Sequence, residues 1–290
     1  MMEVDLEKVF YKVLEACRIA EGLNVGIVTL GGFTSIVGEQ FGKEIHKMVT
    51  VPVTTGNTYT AALVVRGVLE ACEKMRVPIS QQKLVIFGGS GDIGSACALA
   101  LSKKVKHLKL IGRDVEKLEK TRNKLKGATA EISIGTDLAE SIPDADIIIA
   151  ATSATSALVD SSMFQPGTII CDVGYPKNIA YKLGDRDDLM IFAGGLCQLP
   201  SKFELGLKAD YGLHHDRVLY GCLSEAIVLD LEKRYESYSA GRGNITVEKM
   251  DAIYEMGLKH GFSLAPFLMG DRILDENDFD RLSEIRAKIS

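Results

Sequence analysis

The chain of 290 residues predicts an α/β fold: a doubly wound parallel sheet beside a smaller α/β unit built from the N-terminal segment and the last helices. Three observations carry that reading. A glycine-rich turn, Gly88–Gly94, joins the β-branched run Lys83–Phe87 to an apolar helix continuing through Ala96–Leu101. A second strand, His107–Ile111, follows within one strand–helix–strand length. Further on, Ile147–Ala151 is hydrophobic on both faces, as a central parallel strand must be.

Taken in order, Asp5–Ala20 places Leu6, Val9, Phe10, Val13, Leu14 and Cys17 at helical spacing, an amphipathic helix. Asn24–Leu30 reads as a buried strand ending in Gly31-Gly32-Phe33-Thr34-Ser35, which fits a ligand-side loop and a plain turn equally. The run from Val53 to Thr60 then leads into a helix from about Ala61 to Met75. Its four threonines, with Asn57, exceed what one helix cap can use, so Thr55, Asn57 and Thr58 are candidates for a substrate-facing cluster.

The glycines of the central turn each have a role. Gly89, Gly91 and Gly94 satisfy G-x-G-x-x-G, and Gly88, Gly91 and Gly94 satisfy a looser form, with Ser90, Asp92 and Ile93 between them. The first allows the tight turn, the second lets backbone approach a pyrophosphate, and the third lets the helix pack on the sheet. The sheet is therefore expected to be a dinucleotide-binding Rossmann sheet. After its second strand, Arg113 suits a 2′-phosphate and favours NADPH over NADH, while Asp114 suits the cap of the helix that follows.

Ala128–Ile134 is the third strand, Ile147–Ala151 the fourth, Thr168–Val173 the fifth and Leu189–Phe192 the sixth. Ligands bind where strand order reverses, between the first and fourth strands. Thr152, Ser153 and Thr155 should lie near the nicotinamide, and Gly174 and Gly194–Gly195 should face the same crevice. Tyr175 and Lys177 are site residues or parts of a turn with equal weight. Val218–Arg234 reads as one helix with Leu219, Cys222, Ala226 and Leu229 on an apolar stripe, so periodicity alone makes Cys222 a core residue. Domain limits are set at 1–76 and 216–290 for the substrate unit and 77–215 for the NADPH-binding unit.

Composition narrows the function. A net charge of −5 argues against a nucleic-acid partner. The six cysteines lack the short spacings of metal or redox pairs, so reduced thiols and a cytoplasmic location are expected, with no metal. No apolar run is long enough for a transmembrane segment, and the N-terminus is not a signal peptide.

Several segments then appear in a fixed order: Leu30–Phe41, Thr54–Ala61, Gly88–Ala96, Gly174–Asn178, Gly221–Glu232, Gly241–Ile253 and Lys259–Phe262. Together they closely resemble the long-chain acyl-(acyl carrier protein) reductases, aldehyde-forming enzymes that feed cyanobacterial hydrocarbon synthesis. The resemblance covers nearly everything from Leu30 onward. It implies NADPH on the loop of Gly88, Gly91 and Gly94, and it makes Cys222 the nucleophile that carries the acyl group. The implied substrate is a fatty acyl thioester, with acyl carrier protein or coenzyme A as donor. Thr54–Thr58 would supply oxyanion donors, and His215 or His214 a base. The start of the Cys222 helix is expected to lower the thiol pKa. Two departures from the family pattern are a further N-terminal segment of the family, which this sequence is expected to lack, and Gly195–His215. The alternative is a hydroxyl oxidoreductase of shikimate-dehydrogenase type with no covalent step, and a non-enzymatic nucleotide sensor is a third reading.

Overall fold

The first core is small and separate. In the computed structural model, which describes residues 5–38, 44–154, 156–182, 184–203, 215–241 and 243–288, helix α1 spans Leu6–Gly22 and is capped by Asp5, which accepts from the Lys8 amide at 3.0 Å. Its stripe of Phe10, Leu14 and Cys17 packs with Leu30, Val37, Ile45, Val51 and Val53. Strands β1 (Val28–Thr29) and β2 (Val53–Thr54) pair in parallel there, and α2 (Phe33–Val37) follows β1. The strand expected over Asn24–Leu30 is thus two residues long, because Asn24 turns at a φ of 56° and β2 offers only two partners.

Helix α3 (Asn57–Lys74) begins four residues before the expected start near Ala61. Strands β3 (Lys83–Phe87), β4 (His107–Ile111), β5 (Glu131–Gly135) and β6 (Ile147–Ala150) follow, with α4 (Asp92–Leu101) and α5 (Val115–Lys124) between them. After β6 come β7 (Val159–Asp160), β8 (Ile169–Asp172), β9 (Ile179–Ala180) and β10 (Met190–Ala193). Six strands make one parallel sheet in the order β10-β8-β6-β3-β4-β5, while β7 and β9 form a separate parallel pair. Order reverses between β3 and β6, which creates the crevice of a doubly wound Rossmann sheet. All four residues of β6 are fully buried, as expected for a central strand.

The last part of the chain returns to the sheet. β11 (Leu196–Gln198) pairs antiparallel with β12 (Val218–Tyr220), which leads directly into α6 (Gly221–Leu231). The expected helix from Val218 is corrected here: its first three residues are a strand, held by pairing Leu196 with Tyr220 and Gln198 with Val218. Then come α7 (Val247–Lys259), β13 (Ser263–Leu264) on the other edge of β11, the hairpin β14 (Leu268–Met269) and β15 (Arg272–Ile273), and α8 (Glu276–Ala287). Helix α3 packs against α4, α6, α7 and β8, and its buried residues share one continuous core with the sheet. Arg286 ties α8 to the sheet, its guanidinium donating to the Gly167 carbonyl at 2.7 Å and to Asp146 at 2.9 Å. No helix among the described residues is long and apolar enough to cross a membrane.

Candidate active site

The glycine turn has the shape that a pyrophosphate needs. Gly88 turns at a φ of 77°, and a side chain there would strike the Ala151 carbonyl at 2.3 Å. A side chain at Gly94 would meet the Gly88 carbonyl at 2.2 Å, so α4 rests directly on the loop. Gly89 lies against Leu110 of β4. Gly91 is exposed, with only the Gly88 carbonyl near it, and it caps α4 without any side-chain hydrogen bond. The cap residue thus offers the first turn of α4 no side-chain acceptor, an arrangement that suits an anion. Ser90 borders Gly112 at the end of β4. Arg113 is exposed and forms no ion pair among the described residues. Asp114 is committed to capping α5, accepting from the Lys117 amide at 3.1 Å.

Next to this turn, the carboxyl end of β6 meets the loop after β8. The Thr152 amide and hydroxyl both donate to Asn178 Oδ1, at 3.1 and 2.7 Å. Ser153 is exposed beside it, and Thr155 lies outside the described residues. Gly174 is buried, and a side chain there would overlap the Asn178 amide. Buried Asp172 organises the loop by accepting from the amides of Gly174, Asn178 and Ile179. Lys177 donates to the Asp172 carbonyl at 3.0 Å, and burial lowers its pKa despite the nearby carboxylate.

Helix α6 starts on this same carboxyl edge. The Gly221 amide donates to the Gly195 carbonyl at 2.8 Å, two residues beyond β10. The ring of Tyr220 contacts that of Tyr175, centroids 5.9 Å apart. Cys222, the second residue of α6, is the one half-buried thiol among six free cysteines, the other five being buried. It is held from two sides. Its carbonyl accepts from the Thr29 hydroxyl at 2.7 Å, and any side chain on Gly56 would collide with its Cα at 2.2 Å. Gly31 approaches the sulfur so closely that a methyl there would lie 3.3 Å from Sγ. The paired glycines after β1 thus bring backbone to the thiol.

The expected lowering of the Cys222 pKa is corrected. Burial raises it, and this outweighs the amides of Gly32 and Leu223, which face the sulfur and favour the thiolate; Glu225 adds to the rise. The threonine cluster is also placed differently from expectation. Thr54 donates to Glu225 at 2.5 Å and Thr55 to the Ser239 carbonyl at 3.2 Å. Thr58 Oγ1 lies 2.7 Å from Ser239 Oγ. These hydroxyls are buried and already paired, so Thr55 and Thr58 do not present donors to a substrate. Asn57 differs: it is half-buried at the first position of α3, and among the described residues its side-chain amide has no hydrogen-bond partner. The His215 ring lies 3.1 Å from the Asp271 carbonyl in the β14–β15 turn, which turns it to that hairpin and not to the start of α6. His214 lies outside the described residues.

The chain is similar to several known proteins. The sequence signature described as shikimate / quinate 5-dehydrogenase matches residues 70–193. A long-chain acyl-[acyl-carrier-protein] reductase of Synechococcus elongatus is 32% identical over 87% of this chain and 75% of its own. This chain belongs to the long-chain acyl-[acyl-carrier-protein] reductase family. It is an oxidoreductase. Against the aminotransferase PigE of Serratia sp. the reductase is 31% identical over 85% of its own length, but it spans only 29% of that protein. Among solved structures, the nucleotide-binding domain of glutamyl-tRNA reductase from Thermoplasma volcanium is 19% identical, covering 46% of this chain and 84% of that one, with a TM-score of 0.33.

Two residues of the reductase site escaped sequence reasoning: Glu225 and Ser239. Each is polar, fully or almost fully buried, and paired with a partner more than 160 positions away. The one local signal was an acidic residue, Glu225, in the mainly apolar helix Gly221–Leu231, whose other carboxylate, Asp230, is exposed.

Proposed function

We propose that this protein reduces a fatty acyl thioester, carried by acyl carrier protein or coenzyme A, to a fatty aldehyde with NADPH, through an acyl group held on Cys222. The observation that supports it most is the seating of the half-buried Cys222 thiol at the start of α6, on the carboxyl edge of a dinucleotide-binding sheet. The division of labour runs by segment and not by core, because α6, α7 and α8 share one core with the sheet. Residues 77–215 hold the dinucleotide, and 1–76 with 216–290 shape the substrate side.

Gly88–Gly94 would hold the pyrophosphate, Arg113 the 2′-phosphate, and Thr152, Ser153 and Gly174 would border the nicotinamide. Engagement of Asp114 as a helix cap supports NADPH over NADH, since its carboxylate is occupied. Bound there, the reduced dinucleotide supplies hydride. Cys222 attacks the thioester carbonyl, the carbon–sulfur bond to the carrier breaks, the thiol proton passes to the departing carrier sulfur, and the acyl group remains on Cys222. The Gly32 amide, which faces that sulfur, and the side-chain amide of Asn57, which follows the Gly56 that packs on Cys222, are the groups we assign to receive negative charge on the acyl oxygen. After hydride has added to the acyl carbon, the tetrahedral adduct on Cys222 collapses: the carbon–sulfur bond breaks, aldehyde departs, and the sulfur takes up one proton.

The test is NADPH consumption against acyl-CoA and acyl-carrier thioesters of graded chain length, with the aldehyde identified as product. Cys222→Ala should abolish turnover and retain NADPH binding, and the wild-type enzyme should show an acyl adduct on Cys222 by mass spectrometry. Turnover by Cys222→Ala would remove the covalent step. Oxidation of a free alcohol that survives thiol alkylation would favour the shikimate-dehydrogenase type of reaction, to which residues 70–193 are similar.

A further inference from the structure

Helix α2 (Phe33–Val37) begins beside the thiol. A methyl on Gly31 would lie 3.3 Å from Cys222 Sγ and 3.4 Å from Leu223 Cδ2, so the sulfur and the half-buried Leu223 lie side by side against the entry to this helix. One residue on, a methyl on Gly32 would meet nothing within 4 Å, which leaves open space on this side of the sulfur. Helix α2 then divides its faces. Ser35 and Val37 are buried, Val37 in the small core with Leu30 and Ile45. Phe33 and Ile36, three residues apart and so neighbours on the outer face, are 47% and 39% exposed. Other sides of Cys222 are closed: the Thr29 hydroxyl holds its carbonyl at 2.7 Å, and Gly56 lies against its Cα. Next to Gly56, the hydroxyls of Thr54, Thr55 and Thr58 are buried and paired with Glu225 and Ser239, a polar wall on which an alkyl chain would gain nothing.

We propose that the outer face of α2 carries the acyl chain away from Cys222, and that Phe33 is the residue that sets chain preference. The inference rests on the reading of Cys222 as the residue that holds the acyl group. Such a group has two ends with opposite needs. Its carbonyl must turn to the carboxyl edge of the sheet, where hydride arrives, and its tail must leave by an apolar route with room over it. Leu223 beside Sγ, Phe33 directly after the open Gly32, and Ile36 one turn further give that route. A single exposed apolar side chain is ordinary. Two on one face, beginning two residues after the backbone that touches a reactive sulfur, are placed for a ligand. Covering apolar surface is worth about fourfold in affinity per methylene. Phe33 comes first on the route, so every chain that crosses Gly32 meets it, and Ile36 is reached only by longer ones.

The test uses the full chain and N-alkylmaleimides, which add to a thiol and carry an alkyl tail away from it. The other five cysteines are buried, and mass spectrometry confirms that Cys222 is the residue labelled. The readout is the ratio of labelling rates with N-octylmaleimide and N-ethylmaleimide, in which the intrinsic reactivity of the sulfur cancels. For the wild-type chain this ratio should exceed that of free cysteine roughly fifteenfold, the worth of about two covered methylenes. Phe33→Ala should lower it about fourfold, and Phe33→Leu should keep most of it. Tyr235→Ala removes an aromatic ring of similar exposure that packs on Gly26, and should leave the ratio unchanged. A wild-type ratio equal to that of free cysteine overturns the proposal, and so does an unmoved ratio in folded Phe33→Ala. Labelling needs neither NADPH nor thioester, so the two readings fail separately. Thioesters turned over with an unmoved ratio refute the route alone, whereas a lowered ratio without thioester turnover keeps the route and refutes the proposed substrate.

Discussion

Gly56→Ala tests whether the seat of Cys222 governs activity. A methyl at this position would lie 2.2 Å from Cys222 Cα and 2.3 Å from its carbonyl oxygen, both backbone atoms that no side-chain rotation can move. Ordinary contact begins at 3.4 Å, so the start of α6 must retreat by about 1.2 Å. The left-handed φ of 71° adds roughly 1–2 kcal/mol of backbone strain to an overlap cost of about 1–3 kcal/mol. Misplacement of a reacting group by about 1 Å costs around a hundredfold in rate. Acyl transfer to Cys222 should therefore fall by that factor while NADPH binding, measured by fluorescence titration, stays within twofold. Gly127→Ala is the control: its φ of 92° is also one that side chains rarely adopt, but it lies in the loop between α5 and β5 and nothing lies within 4 Å of the added methyl. Should Gly56→Ala acylate Cys222 as fast as Gly127→Ala does, the packing of Gly56 on α6 has no bearing on reactivity.

Three further outcomes follow from the site. Asn57→Ala should lower kcat by about a hundredfold with KM for the thioester little changed, as expected on losing one oxyanion donor, and steady-state kinetics would show it. Gly94→Ala drives a methyl into the Gly88 carbonyl at 2.2 Å and should cost roughly 1–3 kcal/mol, read by thermal unfolding, with NADPH affinity falling in parallel. Arg113→Ala should raise KM for NADPH much more than for NADH, and equal effects on the two would take Arg113 out of 2′-phosphate binding.

The sheet was legible because its signals are local. Glycine turns and β-branched runs such as Lys83–Phe87 and Ile147–Ala150 declare themselves within a few residues. Asp114 as a cap was legible for the same reason, since its partner is the Lys117 amide. Strand β12 was hidden: Val218-Leu219-Tyr220 is apolar enough for either period, and only pairing with Leu196–Gln198, across a long intervening segment, makes it a strand. The polar surplus in Val53–Thr60 did point beyond ordinary capping. Its partner, however, is the distant Glu225, and burial of that carboxylate leaves no trace in sequence periodicity. Cys222 was the sharpest ambiguity. Hydrophobic spacing made it a core residue, and only the family resemblance, followed by its half-buried place at the start of α6, separates it from the five buried thiols.

The front of α3 draws hydrogen-bond acceptors for Thr58 and Tyr59 from far along the chain, and this sets a timetable for biosynthesis. Ser239 meets the Thr58 amide across 181 positions, so as the polypeptide emerges from the ribosome the front of its longest helix stays raw-ended until most of the message has been read. Contacts of that span form late and slowly. A nascent protein stalled or cut before Ser239 would display the oily flank of that helix with nothing to close over it, a natural target for chaperones and proteases.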